Sequence, residues 1–245
     1  MTVCLQLDVG NSSAKWRLLQ DEAVVSRGRY VRGDAPSLDA MLQCSPAVDE
    51  IWVSSVAEAT VEAELTGYLQ ARWGLTPWYA RTPGSFGGLR NSYAEPGRMG
   101  VDRWCAMLGA RQYRQDRLCV VDAGSALTID LVAADGRHEG GYIIPGPALM
   151  ERALLLDTDR VRFDEEVGYD LSPGQSTAEA VRHGIALAQV GAVAAVLAAR
   201  SGDPPQLFFC GGAGERLMTL LDRGGRWAPD LVFEGLAVMA RGRTT

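Results

Sequence analysis

Apolar residues recur along this chain in two rhythms. Short, nearly continuous runs at residues 3–7, 14–19, 51–54, 118–121, 126–132 and 207–210 have the length and composition of buried strands, whereas 61–73, 103–113 and 177–200 carry apolar residues at helical spacing. Strands alternating with helices predict an α/β protein. Gly- and Pro-rich stretches at 82–88, 95–100 and 203–205 read as loops, and none has the composition of a linker between domains. A boundary must therefore come from repetition. VCLQLDVGNSSAKW, from Val3, and LCVVDAGSALTID, from Leu118, each run as an apolar strand into Asp-x-Gly, pass through small hydroxyl or amide residues and resume as a second strand. Asp8 and Asp122 lie about half the chain apart. The expectation is two similar halves, 1–115 and 116–245, each offering one such turn, with the turns facing one another across a cleft.

The weakly polar stretch 184–199 is interrupted by Gln189 and falls short of the roughly 20 apolar residues that a bilayer span needs. Ser176-Thr177-Ala178-Glu179 ahead of it fits a capping box, so the stretch reads as a buried helix whose Ala and Gly residues suit close contact with another helix or subunit. No membrane contact is expected.

With 47% hydrophobic residues, the 245-residue chain can bury a sizeable core, and a net charge of −6 argues against a nucleic-acid partner, whose phosphates demand clustered Lys and Arg. Five cysteines, at 4, 44, 105, 119 and 210, are odd in number and scattered. There is no C-x-x-C pair and no basic-then-apolar N-terminus, which points to a reducing cytoplasm. Two histidines exclude a His-rich metal site, and neither lies near a G-x-S-x-G elbow. Lys15 is the only lysine and lacks the glycine spacing of a Walker A loop.

An Asp-x-Gly turn after a strand nevertheless suits polyphosphate. Glycine lets the backbone approach a ligand, successive N–H groups and hydroxyls donate to phosphate oxygens, and the aspartate holds a metal ion or its waters. Lys15 adds a point charge if it faces the same way. One isolated turn of this kind is better read as a plain hairpin; two copies at half-chain spacing favour the phosphate reading.

Taken together, these motifs resemble those of type III pantothenate kinases, members of the acetate kinase, sugar kinase, heat-shock chaperone and actin superfamily. The likeness spans Asp8 to about Ala237. It implies two ribonuclease-H-like halves around an ATP cleft, and a first phosphate motif carried by Asp8, Gly10, Asn11, Ser12 and Lys15, with Asp8 on Mg²⁺ through water. The second phosphate motif is Asp122 to Thr128, with Gly124 and Ser125 on phosphate. Asp122 is implied in a monovalent-cation site, for K⁺ or NH₄⁺, at a subunit interface. Ser12 and Ser125 stand where relatives commonly carry Thr, which keeps the hydroxyl.

The most discriminating segment is YAEPGRMGVDRW, Tyr93 to Trp104, which matches the family signature Y-x-x-P-x-x-x-G-x-D-R at every fixed position. On pattern alone, Asp102 reads as a helix N-cap and Arg103 as a solvated surface residue. The resemblance instead implies Asp102 as catalytic base, Arg103 as an anchor for substrate carboxylate or phosphate, and Tyr93, Gly100 and Val101 in the pantothenate pocket. Such chemistry is sound, since phosphoryl transfer to an alcohol needs a proton acceptor, and an arginine fork binds both oxygens of a carboxylate.

GGYIIPG, Gly140 to Gly146, also matches the family and reads as a strand followed by a helix start, with no catalytic role. Thr177 sits where relatives contact pantothenate, although Ser176 replaces their Asn and helix capping by either residue stays open. FFCGGAGE, Phe208 to Glu215, resembles the adenosine motif, with Gly211 and Gly212 as the backbone platform and Cys210 in place of Thr as a small buried filler. The expected protein is a cytoplasmic homodimeric kinase that uses ATP, Mg²⁺ and a monovalent cation to phosphorylate pantothenate in coenzyme A synthesis. The alternatives are a related sugar or carboxylic-acid kinase, a non-catalytic transcription accessory and, least of all, an actin-like filament former.

Overall fold

The structure is a computed structural model that describes residues 1–157, 161–199 and 203–243. It divides into two compact units, Met1–Gly109 with Leu231–Thr245, and Ala110–Asp230.

In the first unit, β1 (Val3–Val9), β2 (Ser13–Gln20) and β3 (Ala23–Val31) form an antiparallel meander. Helix α1 (Ala35–Leu42) leads to β4 (Glu50–Ser55), which lies parallel to β1 on its other side, and α2 (Ala59–Trp73) leads to β5 (Trp78–Tyr79), parallel to β4. The strand order is β3-β2-β1-β4-β5. A small hairpin of β6 (Ser85–Phe86) and β7 (Leu89–Arg90) and a 3-10 turn at Pro96–Arg98 precede α3 (Val101–Tyr113).

The second unit repeats the plan. Strands β8 (Leu118–Ala123), β9 (Ala126–Val132) and β10 (His138–Pro145) form a meander, and α4 (Pro147–Asp157) and α5 (Thr177–Ala198) lead to β11 (Gln206–Cys210), parallel to β8. After α6 (Gly214–Leu221), β12 (Arg226–Trp227) closes the order β10-β9-β8-β11-β12. Strands β1 and β8 hold equivalent central places, which explains their nearly unbroken apolar runs, since a central strand is covered on both faces. Leu5, Leu7, Val53 and Leu69 fill the first core, and Val121, Leu127, Ile129 and Phe209 the second, each fully or almost fully buried.

The division expected at 115/116 is corrected in two ways. It falls after Gly109, inside α3, and the C-terminal helix α7 (Leu231–Gly242) belongs to the first unit, not the second. The reason is packing. A Cβ on Gly235 would stand 1.8 Å from the Cys105 carbonyl oxygen, and one on Gly109 would stand 2.3 Å from that of Leu231. Glycine on each helix thus lets α7 lie directly on the backbone of the first part of α3.

Helix α5 also differs from expectation. It spans 22 residues and is long and apolar enough to cross a bilayer by length and composition, yet only 28% of its apolar window is buried. Its expected last residue, Arg200, lies outside the described residues. The Ser176 hydroxyl accepts from the Glu179 amide at 3.2 Å, as a capping box requires, but the Glu179 carboxylate turns to the Gln175 amide, at 2.7 Å.

Burial sets the chemistry of the cysteines. Desolvation, their largest perturbation, pushes the thiols of Cys4 and Cys119 up to about 12 and that of Cys44 up to about 11, from an ordinary 9.0. Below pH 9 folded and unfolded chains both carry neutral thiols. Above it the unfolded thiols ionise first, so this stability is complete below pH 9 and is lost as pH rises toward the folded values. The thermal midpoint is therefore expected to fall progressively above pH 9, and a calorimetric pH series checks this.

Candidate active site

The first unit brings one set of candidate residues together. Asp8 is the penultimate residue of β1, half-buried, and its Oδ1 accepts from the Ser54 hydroxyl on β4 at 3.4 Å. Beyond it the chain turns tightly, the Gly10 amide donating to the Ser13 carbonyl at 3.0 Å, which leaves Asn11 and Ser12 exposed at the tip. Lys15 stands directly opposite Asp8 in the β1–β2 register. Opposed residues of an antiparallel pair share a face, so the ammonium and the carboxylate lie on the same side of the sheet.

The signature segment ends in the first turn of α3. Gly100, not Asp102, takes the N-cap position: its carbonyl accepts from the Trp104 amide at 3.2 Å. A side chain at Gly100 would meet Asp102 Oδ1 at 2.5 Å. Asp102 therefore sits inside the helix, with Oδ1 accepting from the Arg103 amide at 2.7 Å. Nor is Arg103 a solvated surface residue; it is 5% exposed, donates through Nη1 to the Tyr93 hydroxyl at 2.9 Å and lies 5.8 Å from the centre of that ring. Asn91 fixes the loop beneath, accepting from the Tyr93 amide and donating to the Pro83 and Pro96 carbonyls. Tyr93, Arg103 and Asp102 are thus joined by hydrogen bonds, and Gly100 and Val101 precede them at the start of the same helix.

Cys105, one helical turn below Asp102, ties this assembly to the β1 turn. Burial raises its thiol well above the usual range, and the charges of Asp8 and Asp102 raise it further. Both carboxylates therefore lie within electrostatic reach of one buried sulfur. Sequence reasoning missed Ser54 and Cys105. Ser54 lies 46 positions from Asp8, and only the parallel β1–β4 register, invisible in the local pattern, joins them.

The second unit builds its own turn. Asp122 is the penultimate residue of β8, half-buried, and the Gly124 amide donates to the Ala126 carbonyl at 2.9 Å. The turn is walled by two glycines. Gly146, whose amide donates to the Ser125 carbonyl at 3.1 Å, has no room for a Cβ against the Gly124 and Ser125 carbonyls. Gly211, at φ +80°, would place one 2.3 Å from Asp122 Oδ1. Past Gly211 the Ala213 amide donates to the Ala123 carbonyl at 2.9 Å, and Gly212 is exposed at the start of α6. Asp122, Gly124, Ser125, Gly211 and Gly212 are thereby brought together. Thr177, first residue of α5, instead lines an apolar groove of 710 Å³ with Leu149, Leu154 and Ile185.

Among the described residues no three His, Cys, Asp or Glu side chains cluster as a metal cage. Single carboxylates such as Asp8 suit Mg²⁺ carried on nucleotide phosphates, which retains its waters and needs only one or two protein carboxylates.

Two α/β units with the same strand order, each ending its first strand in Asp-x-Gly, define the actin-like ATPase fold of ribonuclease-H-like halves. Solved structures that share it include a Campylobacter jejuni protein described as a Baf family transcriptional activator (TM-score 0.64, 22% identity, 98% of this chain and 100% of that one), and the activator of a Clostridium difficile 2-hydroxyisocaproyl-CoA dehydratase with bound ADPNP (TM-score 0.57, 12% identity, 99% and 95%). Residues 4–199 match the family of type III pantothenate kinases, and the type III pantothenate kinase of Ectopseudomonas mendocina is 38% identical over 245 residues, covering 96% of this chain and 97% of that one. The chain belongs to the type III pantothenate kinase family.

Proposed function

We propose that this protein transfers the γ-phosphoryl group of ATP to the 4′-hydroxyl of pantothenate, giving 4′-phosphopantothenate and ADP, the first step of coenzyme A synthesis. The observation that carries the reading is the assembly at the start of α3, where the whole family signature folds around Asp102 and a buried Arg103. Asp102 accepts the hydroxyl proton as the new oxygen–phosphorus bond forms and the bond to the β,γ-bridging oxygen breaks. Arg103, held by Tyr93, presents its remaining N–H groups to the pantothenate carboxylate. Gly100 and Val101 shape the pocket, and Thr177 is a further pantothenate contact.

Turn amides and hydroxyls at Gly10, Asn11 and Ser12, with Lys15, hold phosphate in the first unit; Gly124 and Ser125 do so in the second, where Gly211 and Gly212 form the adenosine platform. Asp8 would hold Mg²⁺ through water, and the ion would supply neutralisation of charge on the phosphates. A monovalent cation, K⁺ or NH₄⁺, is assigned to Asp122. The net charge of −6 and the five cysteines, all outside disulfides, support a cytoplasmic protein that binds neither membrane nor nucleic acid.

The test is ADP release with Mg-ATP and a panel of acceptors, with K⁺ present or replaced by Na⁺. Turnover that requires pantothenate and rises with K⁺ supports the reading, whereas turnover on a sugar or another acid in its place overturns it. Tyr93→Phe removes one hydrogen bond to a charged group, worth about 1.5–3 kcal/mol. The expected result is a KM for pantothenate raised by about one to two orders of magnitude, with the KM for ATP unchanged, read from initial rates.

The apolar groove supports a homodimer. Leu149 and Leu154 of α4, which line the groove, are exposed, and so is Leu187 of α5, at 60%. A face of this size buries itself against a second copy, which also accounts for a long apolar helix only 28% buried within one chain. Leu187→Asp is expected to halve the mass measured by light scattering; an unchanged dimer mass argues that another surface carries the contact.

A further inference from the structure

We propose that the second unit carries a separate oxyanion site, suited to a small phosphate monoester, at the end of β11 remote from its phosphate turn. A cavity of 530 Å³ opens there between the last turn of α3 and strands β11 and β12, lined by Tyr113, Arg114, Gln206, Phe208 and Arg226 among others. Its size is that of a small-molecule site. None of its lining residues is acidic, and among the described residues neither Arg114 nor Arg226 pairs with a carboxylate.

The arginines are not equivalent. Arg226 sits over the Tyr113 ring, its Cζ 3.9 Å from the ring centre, and Tyr113 is itself braced by Phe208 at 5.8 Å between centres. Stacking occupies one face of the guanidinium and limits its rotamers but leaves the N–H fork in its plane available, a pre-organised bidentate donor for an oxyanion. Arg114 supplies a second positive charge, and the Gln206 amide a neutral donor. Two cations match the dianion of a phosphate monoester better than a single carboxylate, and the cavity leaves room for the rest of a small metabolite. Arg226 pairs with Phe208, three residues and about 10 Å before Gly211 at the usual rise of a strand, and Gln206 lies further back still, so this site and the Gly211 turn are distinct.

The test uses inorganic phosphate as the probe, titrated by calorimetry into full-length protein already saturated with Mg-ADPNP and pantothenate, so that the proposed active-site residues are occupied. The proposal expects one remaining phosphate site per chain, weakened at least tenfold by Arg226→Ala and less by Arg226→Lys, which keeps the charge and loses the fork. Arg114→Ala is expected to weaken it as well, and a titration with succinate to give weaker binding than phosphate. Because Arg226 is exposed and outside the proposed active site, both variants should keep their thermal midpoint and their ADP release within about twofold. Saturated wild-type protein that takes up no phosphate, Arg226→Ala protein that binds as tightly as wild type, or succinate that binds better than phosphate would each overturn the proposal. None of the binding readouts requires turnover, so a failure of the kinase reading is seen separately, in the ADP assay.

Discussion

Asp102→Asn is expected to lower pantothenate-dependent ADP release by about two to four orders of magnitude, the range a positioned general base contributes. The substitution nearly preserves shape. The amide oxygen of Asn can still accept from the Arg103 amide, as Asp102 Oδ1 does at 2.7 Å, so the first turn of α3 keeps its geometry. What disappears is the capacity to take a proton at neutral pH. The KM for ATP should hold and kcat should fall, because the residue acts on the acceptor hydroxyl, a split that initial rates at varied ATP and pantothenate resolve. Retention of more than a tenth of the wild-type kcat would remove Asp102 from the base role and shift attention to Asp8, which bears on the same buried thiol.

Gly235→Ala is expected to be the most destabilising single methyl on the molecule. The new Cβ would lie 1.8 Å from the carbonyl oxygen of Cys105 and 2.7 Å from its α-carbon. These are backbone atoms of a helix and cannot swing aside as a flexible side chain does, so α7 must separate from α3. Overpacking of a well-filled interior costs about 1–3 kcal/mol, and an overlap with backbone this deep belongs at or beyond the upper end, a fall of roughly 10 °C in thermal midpoint for a chain of this size. Gly67→Ala is the internal comparison. Gly67 lies within α2, and a methyl added there would have nothing within 4 Å, so the same change should be neutral or stabilising by about 0.5–1 kcal/mol. Equal midpoints for the two variants in differential scanning calorimetry would contradict the close α3–α7 contact. Activity should follow stability in the Gly235 variant, because α7 packs directly on α3, the helix that carries Asp102 and Arg103.

Much of the candidate site's placement was legible in the sequence because its pieces are local. Asp8 to Ser12 and Asp122 to Ser125 each sit where one strand ends and the next begins, so a short apolar run broken by Asp-x-Gly is sufficient to mark them, and the repeated strand order bears out the repetition. What the local pattern misjudged was Asp102 and Arg103. Read alone they suggested a cap and a surface cation, whereas the fold puts Gly100 at the cap and buries the guanidinium against Tyr93.

Elements whose identity depends on distant partners were not legible. Strand β3 carries Arg27, Arg29 and exposed Val24 and Val25, an edge-strand mixture without clean alternation, and its Gly28 is set by the Trp16 ring, which a Cβ there would meet at 2.4 Å. Helix α7 is buried on nearly every side, with Leu231, Val232, Phe233, Leu236 and Met239 all covered, and only Glu234 and Arg241 mark a polar edge along it. Its membership of the first unit rests on contacts with residues more than a hundred positions away, such as the Cys105 thiol 3.8 Å from the Met239 sulfur.

That return of α7 makes the second unit an insertion in the first, with a consequence for biosynthesis. A ribosome delivers Met1–Gly109 well before Leu231, so the first sheet and the early part of α3 emerge without the helix that covers them. Ala110–Asp230, by contrast, is contiguous and can complete its core as soon as it leaves the exit tunnel. The inserted unit then becomes the long closed loop whose ends must meet before the first unit is whole, and loop closure delays such distant contacts. The inserted unit is thus expected to complete its core before the unit that is synthesised first, leaving the nascent first half open to chaperones and proteases until Leu231–Gly242 arrives.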